Sequence, residues 1–285
     1  MTVCSGSLEH VELALLEGSE LSSAVQAHLS TCSSCAAQAE TLKGIVAALQ
    51  ASSAPVAPAG LAARIVPLVL AVSAVADWTR LLYLYPSDLS DDLIEAILET
   101  GVPYFDLSLQ HVSKAHLRRM RRWGDADRFI ERIDRIREMS PGATFRSNFI
   151  VGYPGETERD HDQLLAFVEE AQLDWCGFFA YSPEEGTYAV GLDGEVAEGL
   201  MNERLAELRE LQDRITATRR DALVGTVQRV LVDRPGVARS TREAPEIDGI
   251  IEVPLDLPVG GFSEVEIVSA MGPDLVARSL TSATS

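Results

Sequence analysis

The spacing of apolar and polar positions divides the chain into three zones with different periods. In residues 1–50 apolar side chains recur at helical spacing, which predicts two short helices, Glu9–Glu17 and Leu21–Leu29, and a third one after Cys35. In residues 61–225 short apolar runs alternate with longer amphipathic stretches, as in strands joined by helices. In residues 226–285 the period changes to short strands parted by Gly and Pro. The uncharged run ASSAPVAPAG over 51–60 is typical of a linker and predicts a domain boundary.

The middle zone has the pattern of a parallel α/β unit. The apolar runs predict four strands, at Trp78–Tyr85, Tyr104–Leu109, Phe145–Val151 and Trp175–Tyr181. Helices are predicted after each of them, at Asp91–Glu99, Ser113–Met139 with a break at Gly124, Arg159–Gln172 and Glu195–Leu223. Helices of this length between strands imply right-handed crossovers, so we expect the strands to be parallel.

The patterns of the last zone and of the first zone each predict a small structural unit. The last zone predicts strands at Gln228–Val232, Gly249–Val253, Glu264–Val268 and Leu275–Arg278. Four or five strands in so few residues favour a small closed barrel, because closure removes exposed edges. The first zone has few large apolar side chains, and a helical unit of that size usually needs a staple such as a metal ion.

Composition and charge exclude several classes of protein. The 285 residues carry 24 Lys and Arg against 43 Asp and Glu, a net charge of −19, which disfavours binding to nucleic acid or anionic lipid and favours a basic partner. Four cysteines and no basic, then apolar, leader segment predict a cytoplasmic protein. The most apolar stretch, Leu61–Ala76, contains Arg64 and Pro67 and is shorter than the roughly 20 residues of a membrane span, which leaves a single span as the weaker alternative.

Three potential metal ligands lie close together in the first zone. His28, Cys32 and Cys35 form the pattern H-x3-C-x2-C, and Cys4 lies one helix upstream. Two or three thiolates and an imidazole satisfy the tetrahedral requirement of a structural zinc site, and zinc would also fold the unit. Cysteines without a metal in a helical hairpin are the plain alternative. A loop for an iron–sulfur cluster is a second one, which the preceding helix disfavours because such a loop follows a strand.

This first zone resembles the zinc-binding anti-sigma domains. The segment CSGSLEHVELALLEGSELSSAVQAHLSTCSSCAAQAETL has their early Cys, their H-x3-C-x2-C and a further helix. Where these domains have an Asp-Gly-Glu turn, this chain has the sequence EGSE over residues 17–20. The resemblance implies a zinc ion held by Cys4, His28, Cys32 and Cys35, and a sigma factor as a partner of this module.

A glycine-rich turn follows the third predicted strand of the middle zone. In FIVGYPGETE the strand is followed by Gly152, Pro154 and Gly155, and glycines at such an edge allow a ligand to approach the backbone. A plain strand-to-helix turn with Thr157 as the helix cap explains the same letters. Gln110 and His111 follow another strand and belong to the same edge, where a lone histidine is more often a packing residue than a catalyst.

The ordered set of motifs resembles the RimO-type radical S-adenosylmethionine methylthiotransferases. The motifs are RLLYLYPSDLSDDLIEAI, YFDLSLQHVSKAHLRRMRR, FRSNFIVGYPGETERD, FFAYSPEEGTYA and APEIDGIIEV, within residues 75–278. The resemblance implies part of a radical SAM (β/α) barrel over 61–225 and a TRAM domain, an OB-like β-barrel, over 226–285. It also implies S-adenosylmethionine and two four-iron four-sulfur clusters as cofactors, and methylthiolation of an aspartate in a basic ribosomal protein of the small subunit.

The resemblance also implies roles for individual residues. Positions near S-adenosylmethionine are Gln110, Arg146, Gly152 and Glu156; positions that face the substrate are Tyr181, Ser182 and Glu185. No catalytic residue is assigned. A tRNA methylthiotransferase is the related alternative, which the negative charge disfavours because RNA is a polyanion.

The chain departs from this family in one respect that matters for chemistry. The cluster-binding cysteines are missing, since Cys176 is the only cysteine after residue 35, and four strand–helix units are present instead of six. A truncated polypeptide of this kind is expected not to start radical chemistry alone, because the cluster needs thiolates. A zinc-dependent regulator with an inactive barrel remnant, or an inactive paralogue, therefore remains an alternative to an enzyme.

Overall fold

The computed structural model describes residues 11, 21–51 and 61–280, with side chains left undescribed at 45–51 and 61–64. The chain divides into two compact units. One contains the residues up to Thr79 together with Ser90–Gly101, and the other contains Arg80–Leu89 together with the residues from Val102 onward. The domain limits predicted from the sequence remain predictions.

The first unit is helical in its described part. Its helices are α1 (Ser23–Thr31), α2 (Ser33–Ala51), α3 (Leu61–Ser73) and α4 (Asp91–Glu99). These confirm the helices predicted after Leu21, after Cys35 and at Asp91–Glu99, whereas the one predicted at Glu9–Glu17 lies outside the described residues except for Val11. Val11, Val25 and Ala39 form a small buried cluster, and α3 packs against α4. None of the described helices is both long and apolar enough to cross a membrane.

A parallel sheet forms the centre of the second unit. Its described strands are β1 (Tyr104–Gln110), β2 (Thr144–Val151) and β3 (Trp175–Ala180), hydrogen-bonded side by side in that order. The helices of this unit are α5 (Lys114–Arg119), α6 (Ala126–Met139), α7 (Glu158–Ala171) and α8 (Glu198–Asp221). The parallel arrangement predicted from the alternating pattern is confirmed, and so is the break in the helical region before Ala126.

Aromatic rings fill the side of the sheet that the helices cover. Phe105 stacks on Phe145 with ring centroids 5.7 Å apart, and Phe149 contacts both Phe167 of α7 and Phe178 of β3. Because side chains alternate along a strand, the neighbouring positions Asp106, Arg146 and Asn148 point to the opposite face. The sheet therefore has one apolar face and one polar face.

The strand predicted at Trp78–Tyr85 is wrong in extent. The structure shows a single parallel bridge between Leu84 and Leu107, with Leu84 N–H donating to Asp106 O at 2.8 Å. Tyr83 has a left-handed backbone (φ 59°), and its N–H donates to the Asp106 carboxylate at 3.0 Å instead of to a neighbouring strand. Because of this side-chain contact, the predicted strand pairs with β1 at only one position, Leu84 with Leu107.

The C-terminal region is the closed barrel that the sequence predicts. Its described strands are β4 (Val227–Arg234), β5 (Val237–Arg239), β6 (Ile251–Glu252), β7 (Phe262–Met271) and β8 (Asp274–Ser279), closed in the order β4-β5-β6-β8-β7. Strand β5 is absent from the sequence prediction. Alternating Val, Ile, Leu and Ala side chains of these strands form the buried core.

A buried carboxylate joins the barrel region to the start of the sheet. Asp248 accepts hydrogen bonds from the Tyr104 hydroxyl at 2.5 Å, from Arg146 Nη1 at 2.6 Å and from Ala244 N–H at 2.8 Å. The Asp248 side chain is fully buried. Burial raises the pKa of the Tyr104 hydroxyl, so Tyr104 stays protonated. Its hydroxyl therefore donates a hydrogen bond to Asp248. We call Tyr104, Arg146 and Asp248 the basal cluster.

Candidate functional site

The carboxyl ends of the parallel strands bring the predicted site residues to one edge. Strand β1 ends at Gln110, whose backbone is left-handed (φ 68°) after an irregularity in the register with β2. Strand β2 ends at Val151 and is followed by Gly152, also left-handed (φ 80°). A Cβ atom at Gly152 would lie 2.5 Å from Met201 Sδ, so α8 approaches this turn closely enough to favour glycine.

The turn after β2 is held by a buried ion pair. Glu156 is 7% exposed; its Oε2 accepts the Gly152 N–H at 2.8 Å, and its Oε1 accepts from Arg204 Nη1 of α8 at 2.9 Å. Thr157 then caps α7 through a capping box with Asp160. The plain interpretation of Thr157 as a helix cap is confirmed. Both carboxylate oxygens of Glu156 are bonded within the protein, and its predicted position near a cofactor stays a prediction.

His111 is a buried, neutral packing residue beside that ion pair. Its Nδ1 accepts the Ser113 N–H at 2.9 Å, and its Nε2 lies 3.8 Å from Glu156 Oε2. Burial, together with the nearby His116, lowers the pKa of His111 from the usual 6.5 to about 3. The imidazole is therefore uncharged at neutral pH.

One cleft at this edge is lined by arginines. This arginine cleft has a volume of about 300 Å³, and its lining consists of Gln110, Arg119, Met120, Arg121, Arg122, Ile150, Tyr153, Thr187, Tyr188 and Ala189. Arg119 and Arg122 are oriented by backbone carbonyls, of Pro154 at 2.9 Å and of Ser108 at 2.7 Å. The Arg121 guanidinium lies over the Tyr188 ring, 5.2 Å from its centroid. Oriented guanidinium groups of this kind suit a carboxylate or another anion.

A second cleft lies on the other side of the 3₁₀ helix Tyr188–Gly191. This acidic cleft has a volume of about 380 Å³, and its lining consists of Gly152, Pro154, Tyr181, Pro183, Ala189, Val190, Leu192, Glu195, Val196, Glu198 and Met201. Ala189 lines both clefts, so the short helix is the wall between them. The loop that carries it is joined to the turn after β2 by a hydrogen bond from Gly155 N–H to Gly194 O at 2.6 Å.

The remaining predicted residues of this edge differ in their surroundings. Tyr181 packs edge-on against Tyr153 with ring centroids 5.3 Å apart, whereas Ser182 and Glu185 are exposed. Ser182 donates to the Glu184 carboxylate at 3.1 Å. The structure therefore places Tyr181 at the wall of the acidic cleft and leaves the other two on the surface of the adjoining loop.

Arg146 lies at the opposite end of the sheet from the clefts. It pairs with Trp175, the first residue of β3, and its guanidinium belongs to the basal cluster. The structure thus gives this guanidinium a carboxylate partner within the chain. Its role near S-adenosylmethionine stays a prediction.

The metal-ligand pattern of the first unit forms a compact group. His28 lies in the last turn of α1, Cys32 lies between the two helices and Cys35 is in the first turn of α2. One ligand atom from each lies within 4.8 Å of the others, and His28 Nε2 is 3.3 Å from Cys35 Sγ. Cys4, the fourth predicted ligand, lies outside the described residues.

Several residues that shape the edge were not singled out from the sequence. Arg204, Arg119 and Arg121 belong to polar stretches with many arginines, and only the fold shows which of them face Glu156 or the cleft. The run LRRMRR, in the helical region that follows a predicted strand, is the one local signal for the arginine cleft. Arg204 has no such signal, because it lies in a long helix of mixed charge.

Two regions of the chain match known family models. Residues 61–168 match the family model of the radical SAM superfamily, and residues 224–280 match that of the TRAM domain. The chain is 46% identical over 209 residues to the ribosomal protein uS12 methylthiotransferase RimO of Cutibacterium acnes. This alignment covers 71% of this chain and 44% of that protein. The RimO of Stenotrophomonas maltophilia K279a is 42% identical over 230 residues, 78% of this chain and 51% of that protein.

The chain spans about half the length of these curated relatives. Among solved structures, coproporphyrinogen III oxidase (HemN) from Escherichia coli, a radical SAM enzyme, matches with a TM-score of 0.46 and 16% identity, over 54% of this chain and 37% of that one.

Proposed function

We propose that residues 61–280 are the C-terminal portion of a methylthiotransferase that acts on ribosomal protein uS12. The observation that carries this proposal is the identity of 41–46% to uS12 methylthiotransferases over 67–78% of the chain. The order of the regions, a radical SAM match followed by a TRAM match, is that implied by the sequence motifs.

The arginine cleft supports a role in binding S-adenosylmethionine. It lies at the carboxyl edge of parallel strands, where ligands bind in such folds, and its arginines fit the carboxylate of that molecule. Gln110 lines the same cleft with a left-handed backbone, a conformation that non-glycine residues adopt at a cost and that clusters at functional sites. When bound, S-adenosylmethionine supplies the methyl group and the radical chemistry. The side chains of this chain would bind and orient it.

The iron–sulfur clusters do not fit the described residues of the second unit. Cys176 is the only cysteine there, and it pairs in register with the fully buried Ser147 on the helix-covered side of the sheet. Burial raises the pKa of its thiol, whereas an iron ligand must be a thiolate. Cluster ligands for this reaction therefore have to come from other polypeptide sequence, and we derive no step through a cluster.

A chimera tests the proposed function directly. Residues 75–285 would replace the matching part of the Cutibacterium acnes enzyme, whose own N-terminal part would then supply the remainder. After anaerobic reconstitution with iron and sulfide, we expect uS12 to gain one methylthio group per chain, measured by mass spectrometry. An unmodified uS12, under conditions in which the parent enzyme modifies it, would refute the proposal. The chain alone, incubated in the same way, is expected to leave uS12 unchanged.

The first unit supports a second, independent proposal. We propose that His28, Cys32 and Cys35 bind zinc, with Cys4 as the fourth ligand, because the ligand atoms already lie within 4.8 Å of one another. Purified full-length chain is expected to retain about one zinc per molecule. Cys35→Ser should lose it, and the control Cys176→Ser should keep it. Equal zinc content in both variants would refute the site. A sigma factor as partner and a cytoplasmic location stay predictions.

A further inference from the structure

We propose that the acidic cleft is the docking site for a basic segment of the substrate protein, in which an apolar side chain lies next to Lys or Arg. This inference rests on the proposed function and specifies the chemistry by which the substrate is recognised. The occupant follows from two properties of the cleft, its apolar lining and the unpaired carboxylates at its rim.

The lining of the cleft suits an apolar side chain. Ala189, Val190, Leu192, Val196 and Met201 contribute aliphatic or thioether groups, and Val190 remains 52% exposed. The volume of about 380 Å³ accommodates a side chain with its flanking backbone. Tyr181 also lines the cleft, and its buried hydroxyl has no hydrogen-bond partner among the described residues. A backbone group of a bound segment could make that bond.

The chain segment that supplies most of the cleft lining carries only negative charges. From Ser182 to Glu198 the chain contains five carboxylates and no Lys, Arg or His. Glu195 and Glu198 line the cleft, and Glu185 and Asp193 lie on the same exposed loop. None of these four side chains forms an ion pair within the part of the chain that the structure describes. Their charge is therefore available to an external cation.

The arrangement of the two clefts favours a protein over RNA as the occupant. An RNA hairpin brought to this face would place phosphates against unpaired carboxylates, which is repulsive. The arginine cleft lies across the wall formed by Tyr188–Gly191, and Ala189 lines both sides. A basic segment bound in the acidic cleft would thus lie beside the cleft assigned to S-adenosylmethionine.

The experiment measures binding of purified uS12 to the full-length chain by biolayer interferometry. The variant Glu195→Gln/Glu198→Gln removes two carboxylates at the cleft, and Glu203→Gln/Asp213→Asn is the matched control, because both of its residues are exposed and outside the lining. We expect the cleft variant to bind about tenfold more weakly at low salt and the control to change by less than about twofold. In high salt the difference should shrink, since exposed charges are screened.

A second pair of variants tests the apolar lining. Val190→Ser should weaken binding at both salt concentrations, and Val224→Ser, at a comparably exposed valine (44%) outside the cleft lining, should not. Equal effects of the cleft and control variants would overturn the inference, as would tighter binding of an RNA hairpin than of uS12. Thermal unfolding of each variant shows whether the fold is intact.

The outcomes separate this inference from the proposed function. If the chimera methylthiolates uS12 but the cleft variants bind it normally, only the docking inference fails. If uS12 does not bind, a synthetic peptide with leucine between two lysines and its counterpart with two glutamates replace it as probes. Preference for the lysine peptide that depends on Glu195 and Glu198 would support the cleft chemistry, and lack of any preference would reject the docking inference. The chimera assay alone decides whether uS12 is the substrate.

Discussion

Replacing Glu156 with alanine should destabilise the second unit strongly, because both oxygens of this buried carboxylate are bonded. The substitution removes the acceptor of the Gly152 N–H and leaves the Arg204 guanidinium, itself 4% exposed, with Glu158 as its remaining carboxylate partner. Breaking a buried ion pair by removing one partner costs about 3–5 kcal/mol. For a domain of this size that corresponds to a decrease in the unfolding midpoint of roughly 6–20 °C.

The assay is urea-induced unfolding followed by circular dichroism, with hydrogen exchange of the turn after β2. Glu158→Gln is the matched control, since Glu158 accepts from the same arginine at 3.1 Å but is 70% exposed. An exposed pair contributes at most about 1 kcal/mol, so the control should unfold almost as the native protein does. In the Glu156 variant, amide exchange at Gly152 should accelerate because its acceptor is gone.

The result also distinguishes two roles for Glu156. If alanine at this position costs less than about 1 kcal/mol, no more than the exposed control, the structural role derived from the buried pair is wrong. If stability is unchanged while binding of S-adenosylmethionine is lost, the cofactor-proximal role implied by the resemblance is correct instead. Replacing both partners, Glu156→Met with Arg204→Met, should restore much of the lost stability, since no buried charge is then unpaired.

Two further predictions concern other buried groups of the second unit. Asp248→Ala leaves Arg146 without its closest carboxylate and should reduce the free energy of unfolding by about 3–5 kcal/mol, whereas the exposed Asp256→Ala should change it by less than about 0.5 kcal/mol in the same urea titration. His111→Asn tests the pH dependence of the free energy of unfolding. Burial lowers the pKa of His111 to about 3, so below pH 6.5 the unfolded chain binds a proton that the folded chain does not bind. The native protein therefore loses stability as the pH falls from 6.5. In the variant this decrease should be smaller between about pH 7 and about pH 4, and an unchanged profile would contradict the assignment.

Local patterns predicted those elements whose contacts are also local. Helix α4 begins and ends at the predicted residues, since Ser90 caps it, Asp91 and Asp92 occupy its first turn, and its apolar positions recur at helical spacing. The strand predicted at Trp78–Tyr85 failed because the Asp106 side chain takes the N–H of Tyr83, a contact that no local pattern shows.

The candidate site was predictable in position but not in the roles of its residues. The glycines after β2 and the residues after β1 located the edge, because parallel strands end together. The sequence did not show that Arg204 would bind Glu156 from 48 residues away, or that Asp248 would bind Arg146 from 102 residues away. Partner choice among many arginines and carboxylates depends on the fold.

The basal cluster has a consequence for the order in which the protein can fold during synthesis. Asp248 follows Tyr104 by 144 residues and Arg146 by 102, so the ribosome completes β1 and β2 long before their common acceptor is made. Contacts of such long range form late and slow folding. Until then the guanidinium of Arg146 has to remain hydrated at the unfinished end of the sheet. Shortening the gene from its 3′ end would therefore loosen the central sheet as well as the barrel, and nascent chains stalled before codon 248 are expected to engage chaperones.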